Sequence, residues 1–257
     1  MEFPSTDMLL FLLAAGFIAA FIDSVVGGGG LIAVPALLLT GLPPSMVLGT
    51  NKLGGTLASI TSTLSFLFSG KINGKLTLAL FPLSFIGAML GTYTVHLVPS
   101  AFLRPLVVCM LVLLLIYTLM RKNWGALMSP RPMTPTIKLA TALCAFALGF
   151  YDGFFGPGTG SFLLFLFLLL GFDFVGASGN AKVLNLASNV ASLLAFWLLG
   201  SVHIGYGLPM GVAMIAGALV GSRLAIRHGA SYVKPLFIAV TTLLIGKQLY
   251  DLISSIL

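Results

Sequence analysis

Asp23 and Asp152 each sit just before a glycine-rich run inside a long apolar tract. The first reads Phe21-Ile22-Asp23-Ser24-Val25-Val26-Gly27-Gly28-Gly29-Gly30, the second Phe150-Tyr151-Asp152-Gly153-Phe154-Phe155-Gly156-Pro157-Gly158-Thr159-Gly160. An acid surrounded by hydrocarbon is costly, and so is irregular backbone whose polar groups lack partners. Two halves that bear both costs at matching positions point to a binding site there. A carboxyl in such a place could line a polar path, pair with a base, or take up a proton, because loss of water favours the neutral form. It could equally hydrogen-bond the free amides of the adjoining break.

A second constellation is also duplicated: Gly49-Thr50-Asn51-Lys52 and Gly179-Asn180-Ala181-Lys182. An ammonium, amide donors and the N–H groups of a helix N-terminus together favour an anion. Glycine allows backbone to approach a bound ion closely. The candidate anion site is therefore Asn51, Lys52, Asn180 and Lys182, cradled by Gly28, Gly29, Gly158 and Thr159. Asp23 and Asp152 would couple protons or organise the breaks. Two plainer readings stand beside this one: the lysines snorkel to headgroups, or each neutralises the aspartate of its own half. Thr50, Thr56, Ser59, Asn185, Ser188 and Asn189 recur at helical spacing, which gathers many of them on one face.

Other chemistries find little support. Tyr151-Asp152 matches half of an intramembrane aspartyl protease pattern, but the partner Gly-x-Gly-Asp is absent. His96, His203 and His228 form no metal cluster, and Cys109 and Cys144 lie in apolar tracts without ligand spacing. No catalytic residue, metal or cofactor is expected, and the chain reads as a non-enzyme.

The elements that hold these residues follow from composition. Of 257 residues, 58% are hydrophobic and 7% charged, with a mean hydropathy of +1.11. Soluble domains carry about 25% charged residues, so the chain is an all-α polytopic membrane protein. The tracts lack the alternation of a membrane β-barrel. Long helices are expected at 8–26, 46–69, 75–97, 101–120, 138–156, 175–199, 204–224 and 232–253. Two short apolar segments, 31–40 and 161–170, would each span about 15 Å as helices, half a bilayer core. The first tract lacks a basic leader and reads as a membrane helix.

The chain repeats. Asp23 aligns with Asp152, Gly27 with Gly156, Gly29 with Gly158, Asn51 with Asn180 and Ala58-Ser59 with Ala187-Ser188. After a one-residue slip, Gly70 aligns with Gly200, and Gly87/Gly91 with Gly217/Gly221. Residues 1–120 form one transmembrane repeat and 138–257 the other, joined by a cytoplasmic linker at 121–137. The two Gly-x-x-x-Gly pairs read as packing within the bundle rather than as dimer contacts.

The net charge of +7 lies in short loops, which suits membrane orientation better than nucleic acid. If the short segments cross, Lys71, Lys75, Arg121, Lys122, Arg131, Lys138, Arg223 and Arg227 share the cytoplasmic side. The halves are then inverted, with both termini outside. Re-entrant short segments would make the halves parallel and move the Arg223/Arg227 loop to the other side, so two inverted repeats are the expected arrangement.

The stretch from Asp23 to Pro35, Gly49-Thr50-Asn51-Lys52, Gly156-Pro157-Gly158 and Gly179-Asn180-Ala181-Lys182 together resemble the sulfite exporter TauE/SafE family, also called the 4-toluene sulfonate uptake permeases. The resemblance covers essentially the whole chain and is greatest to YfcA-type members of the bacterial inner membrane. It implies a two-repeat transporter of small sulfur-containing or organic anions. No nucleotide-binding loop is present to supply ATP, so energy would come from an ion or substrate gradient. The expected partners are a small anion, the bilayer and possible further copies of the chain. A passive anion channel is the alternative.

Overall fold

A computed structural model of the protein describes residues 5–99, 102 and 133–229. These residues form eight α-helices: α1 (Thr6–Val26), α2 (Gly30–Leu38), α3 (Pro44–Phe68), α4 (Gly74–His96), α5 (Pro135–Phe154), α6 (Thr159–Leu169), α7 (Phe174–Leu198) and α8 (Ile204–His228). The helices expected at 101–120 and 232–253, and most of the linker, lie outside the described residues.

Local chemistry sets the helix starts. Side chains of Ser5, Asn73, Thr134 and Asp173 accept hydrogen bonds from the first turns of α1, α4, α5 and α7. Proline occupies the first turn of α3 and α5, where its missing N–H costs nothing. Thr134 and Pro135 thus start α5 three residues ahead of its expected position. With 9 and 11 residues, α2 and α6 span about 14 and 17 Å. They are short for a crossing, as their sequences predict.

Among the described residues, five helices are long and apolar enough to cross a membrane: α1, α4, α5, α7 and α8. The sixth long helix, α3, is too polar to join them. Thr50, Lys52, Thr56, Ser59, Ser62 and Thr63 are all buried along its inner face, while Ile60, Leu64 and Leu67 are exposed. Hydrophobic side chains outward and polar ones inward is the arrangement a bilayer imposes on a polar core.

The packing is interleaved between halves. On α4, a side chain at Gly87 or Gly91 would run into the Phe146 or Phe150 carbonyl of α5; on α5, Gly149 and Gly153 lie as tightly against Ser84 and Ala88. The other seam repeats this, with Gly217 and Gly221 of α8 against the Phe17 and Phe21 carbonyls of α1. Both Gly-x-x-x-Gly pairs therefore bind helices of one chain. Contact order gives direction: α4 and α5 run parallel, as do α1 and α8, and as do α3 and α8, where Gly54 meets Gly211 and Thr50 meets Gly207. Helices α3 and α7 run antiparallel, because Gly55 meets Asn189 whereas Thr63 donates to the Lys182 carbonyl. The matching long helices α3 and α7 thus point in opposite directions.

The repeat register differs from the residue matches. Helices α3 and α7, and the starts of α4 and α8, stand 130 positions apart, against 129 for the starts of α1 and α5. The slip falls inside the short helices, before Gly41 and Gly171, which both take positive φ. Thr50, not Asn51, is therefore the counterpart of Asn180. Their contacts agree: the His203 N–H donates to Thr50 Oγ1 at 2.9 Å, and the Asn73 N–H donates to Asn180 Oδ1 at 2.7 Å. His203 and Asn73 are the equivalent N-cap residues of α8 and α4.

Backbone contact at the seams predicts that Gly91→Ala and Gly153→Ala each lower stability by about 1–3 kcal/mol through overpacking. Gly74→Ala, with open space around it, should be near neutral. Thermal unfolding in detergent tests the difference.

Candidate functional site

Each half breaks its backbone where the other half needs room. Helix α1 ends at Val26, and Gly27 and Gly28 take φ of 75° and 96° before α2 begins. In the second half, Gly156 and Gly158 adopt φ of 97° and 85° on either side of Pro157. These left-handed values favour glycine. The two breaks touch: a side chain at Gly27 would strike the backbone of Gly160 and Ser161, and one at Gly30 would strike Pro157. Ser161 Oγ donates to the Val26 carbonyl at 2.9 Å, tying one break to the other. Within the second break, Tyr151 Oη donates to the Pro157 carbonyl at 2.9 Å and Thr159 Oγ1 to the Gly156 carbonyl at 2.8 Å. Three carbonyls of the breaks, those of Val26, Gly156 and Pro157, are thereby met by side chains.

The aspartates stand in the last turns of α1 and α5, and the lysines enter from α3 and α7. The pairs are crossed. Lys52 Nζ lies 3.0 Å from Asp152 Oδ1, and Lys182 Nζ lies 2.6 Å from Asp23 Oδ2. Neither lysine snorkels, since both are 2% exposed. Neither serves its own half either: the reading in which each lysine neutralises the aspartate of its own half is corrected. The antiparallel packing of α3 on α7 carries each ammonium across to the opposite break.

The pairs are not equivalent. Asp23 uses both oxygens, Oδ1 accepting from the Gly29 N–H at 3.1 Å and Oδ2 from Lys182. Its side chain is 20% exposed. Asp152 is almost fully buried, and its Oδ2 finds no hydrogen-bond partner among the described residues.

A cavity of about 40 Å³ lies between the breaks, room for about three water molecules. Of the expected site residues, Asp23, Asp152, Lys52, Asn51, Gly29 and Gly158 line it. Four other expected site residues stand back from it. Gly28 shapes the break, Thr159 caps the Gly156 carbonyl, and Lys182 reaches only Asp23. Asn180 staples its helix to the α3–α4 turn, accepting from Asn73 N–H and donating to the Gly176 carbonyl. Asn185, Asn189 and Met214 line the cavity but were not expected as site residues. The two asparagines were legible only as part of a polar face. Gly55, the counterpart of Asn185, leaves the space in which the Asn189 carboxamide sits. Two larger cavities, about 730 and 470 Å³, contain neither central aspartate.

Removing one member of a buried pair strands the other charge, which costs about 3–5 kcal/mol. Lys52→Met should therefore destabilise strongly, and adding Asp152→Asn should restore most of the loss, whereas adding Asp23→Asn should not. A thermal-unfolding cycle in detergent reads this out.

The chain matches the sulfite exporter TauE/SafE family over residues 12–247. It is 40% identical over 245 residues to "Probable membrane transporter protein ORF9" of Sinorhizobium sp, covering 95% of this chain and 93% of that one. A "Probable membrane transporter protein" of Haemophilus influenzae is 36% identical over 246 residues, covering 95% and 96%. "Probable membrane transporter protein YfcA" of Escherichia coli K12 is 37% identical over 248 residues, covering 95% and 89%. No solved structure matches. A family match over nearly the whole length, relatives of this similarity and five apolar spans make this a multi-pass membrane protein that belongs to the sulfite exporter TauE/SafE family.

Proposed function

We propose that the protein is a secondary transporter of a small anion, sulfur-containing or organic, and that its two halves are inverted repeats that rock around the central cavity. The observation that carries this reading is the meeting of two glycine breaks around buried, crossed ion pairs. Irregular backbone deep in a bilayer is stable only where protein covers it or where it lines a cavity. A scaffold has no need of such a centre.

Opposed directions of α3 and α7 support inversion, with α2 and α6 as short return crossings. The basic loop residues then face the cytoplasm and both termini the outside, in a bacterial inner membrane. Names given to the relatives above support transport. Lys52 and Asn51 would contact the anion directly, with the Asn185 and Asn189 amides beside them. Gly28, Thr159, Asn180 and Lys182 would hold the frame. A centre this tightly packed favours a carrier over an open pore. Pairing of each aspartate with a lysine speaks against a protease, whose two carboxyls share one proton.

Sulfite, sulfate, methanesulfonate and sulfoacetate should be screened for thermal stabilisation of the purified protein. At least one should raise the melting temperature. Lys52→Gln should abolish that shift; Asn180→Ala should lower stability by about 1–3 kcal/mol and keep it. In proteoliposomes, trans-side anion should accelerate uptake by counterflow. A rate indifferent to the trans side would indicate a channel instead.

A further inference from the structure

We propose that a single anion displaces Asp152 from Lys52 while Asp152 takes up one proton, and that Asp23 takes no part in this exchange. The proposal rests on the anion-transporter reading above and divides the labour between two carboxylates that the repeat makes look alike.

The geometry separates them. Asp23 is held at both oxygens, by Lys182 and by the Gly29 N–H. Gly29 is also the N-cap of α2, and its backbone packs against the α1 carbonyl of Ala19. Releasing Asp23 would undo the joint between α1 and α2. Asp152 has only Lys52, at one oxygen, and its buried Oδ2 has no partner among the described residues. That oxygen belongs to a residue lining the cavity and has an unused place for a proton. Lys52 lines the cavity too, whereas Lys182 does not.

Charge closes the argument. The groups facing Asp152 are Lys52 from α3, Asp23 from α1 with Lys182 of α7 held on it, and Tyr151 beside it on α5. From α8 comes Met214, from α4 Ala88 and Thr92 next to Gly153, and α6 has no titratable side chain. With both pairs formed the centre is neutral. An anion entering alone would leave one unbalanced negative charge in a buried space, which is unfavourable. About three waters' worth of room does not seat an anion beside an intact pair, so the anion must take the carboxylate's place on the ammonium. An anion oxygen then accepts from Lys52 Nζ as Asp152 Oδ1 leaves. The freed carboxylate binds a proton delivered from bulk solution as hydronium, whose O–H bond breaks to leave neutral water; one carboxyl O–H bond forms and neutrality is restored. For a monovalent anion the exchange is one anion with one proton. Asn51 and Asn185 stand on the cavity wall to donate to the remaining anion oxygens.

The test is the pH dependence of methanesulfonate and sulfate binding to the purified full chain, by titration calorimetry. Both anions keep a fixed charge between about pH 5 and about pH 8, so any slope belongs to the protein. Affinity should rise about tenfold for each unit fall in pH where one proton accompanies one anion. Asp152→Asn should flatten the slope, Asp152→Glu should restore it, and Asp23→Asn should keep it. Direct proton uptake on adding anion to weakly buffered wild-type protein should equal one per anion bound. This measurement stands even if Asp23→Asn does not fold. A flat wild-type profile, uptake of two protons, or a slope that survives Asp152→Asn would overturn the proposal. Failure of every anion tested, sulfite included, to bind at any pH would instead bring down the transporter reading itself, and this inference with it.

Discussion

Two ammonium groups buried in the middle of a membrane protein decide much else in this molecule. Lys52 and Lys182 are among its largest fully buried side chains. Charges in that setting persist only when paired at close range. Each partner lies in the opposite half, so the halves must approach closely, and the approach is made by backbone without side chains. Glycines at the breaks and along the α4–α5 and α1–α8 seams serve this one requirement. A methyl group at Gly27, Gly91 or Gly221 would push apart elements whose charges meet only a few residues away.

Much of the fold was readable beforehand because hydropathy, prolines and capping residues act locally. Helix boundaries such as 204 for α8, and the shortness of α2 and α6, follow from runs of apolar residues and their interruptions. The pairing of charges was not readable. A lysine one helix away from an aspartate in sequence suggests a partner in the same half, and only the antiparallel crossing of α3 and α7 sends it elsewhere. Register failed for a related reason. Matching by residue type favoured Asn51 with Asn180, but a hydroxyl at Thr50 does the hydrogen-bonding work of the amide at Asn180. Equivalent position and identical residue are different things when a hydroxyl and an amide can each accept the same N–H.

The site itself was partly legible. Asp23, Asp152, Lys52 and Asn51 stood out as rare polar groups in apolar sequence. Asn185 and Asn189 carry the same rarity and belong to the polar face that the spacing gathers, yet nothing along the chain says which members of that face reach the cavity. Gly55 answers it: the first half is hollow where the second half projects an amide. Near-symmetry with such local exceptions gives a centre whose two ends are built alike but make different contacts.

The crossed pairing also bears on how the chain is made. Asp23 and Lys182 are separated by 159 residues, which a ribosome adding about 5–20 residues per second takes roughly 8–30 seconds to synthesise. Throughout that interval the N-terminal half has an acid without its final partner and a seam on α1 with no α8 to fill it. Membrane insertion of the first half is thus a provisional state. Completion comes from α7 and α8, and a nascent chain interrupted between the halves would present charges without their final partners and bare glycine faces.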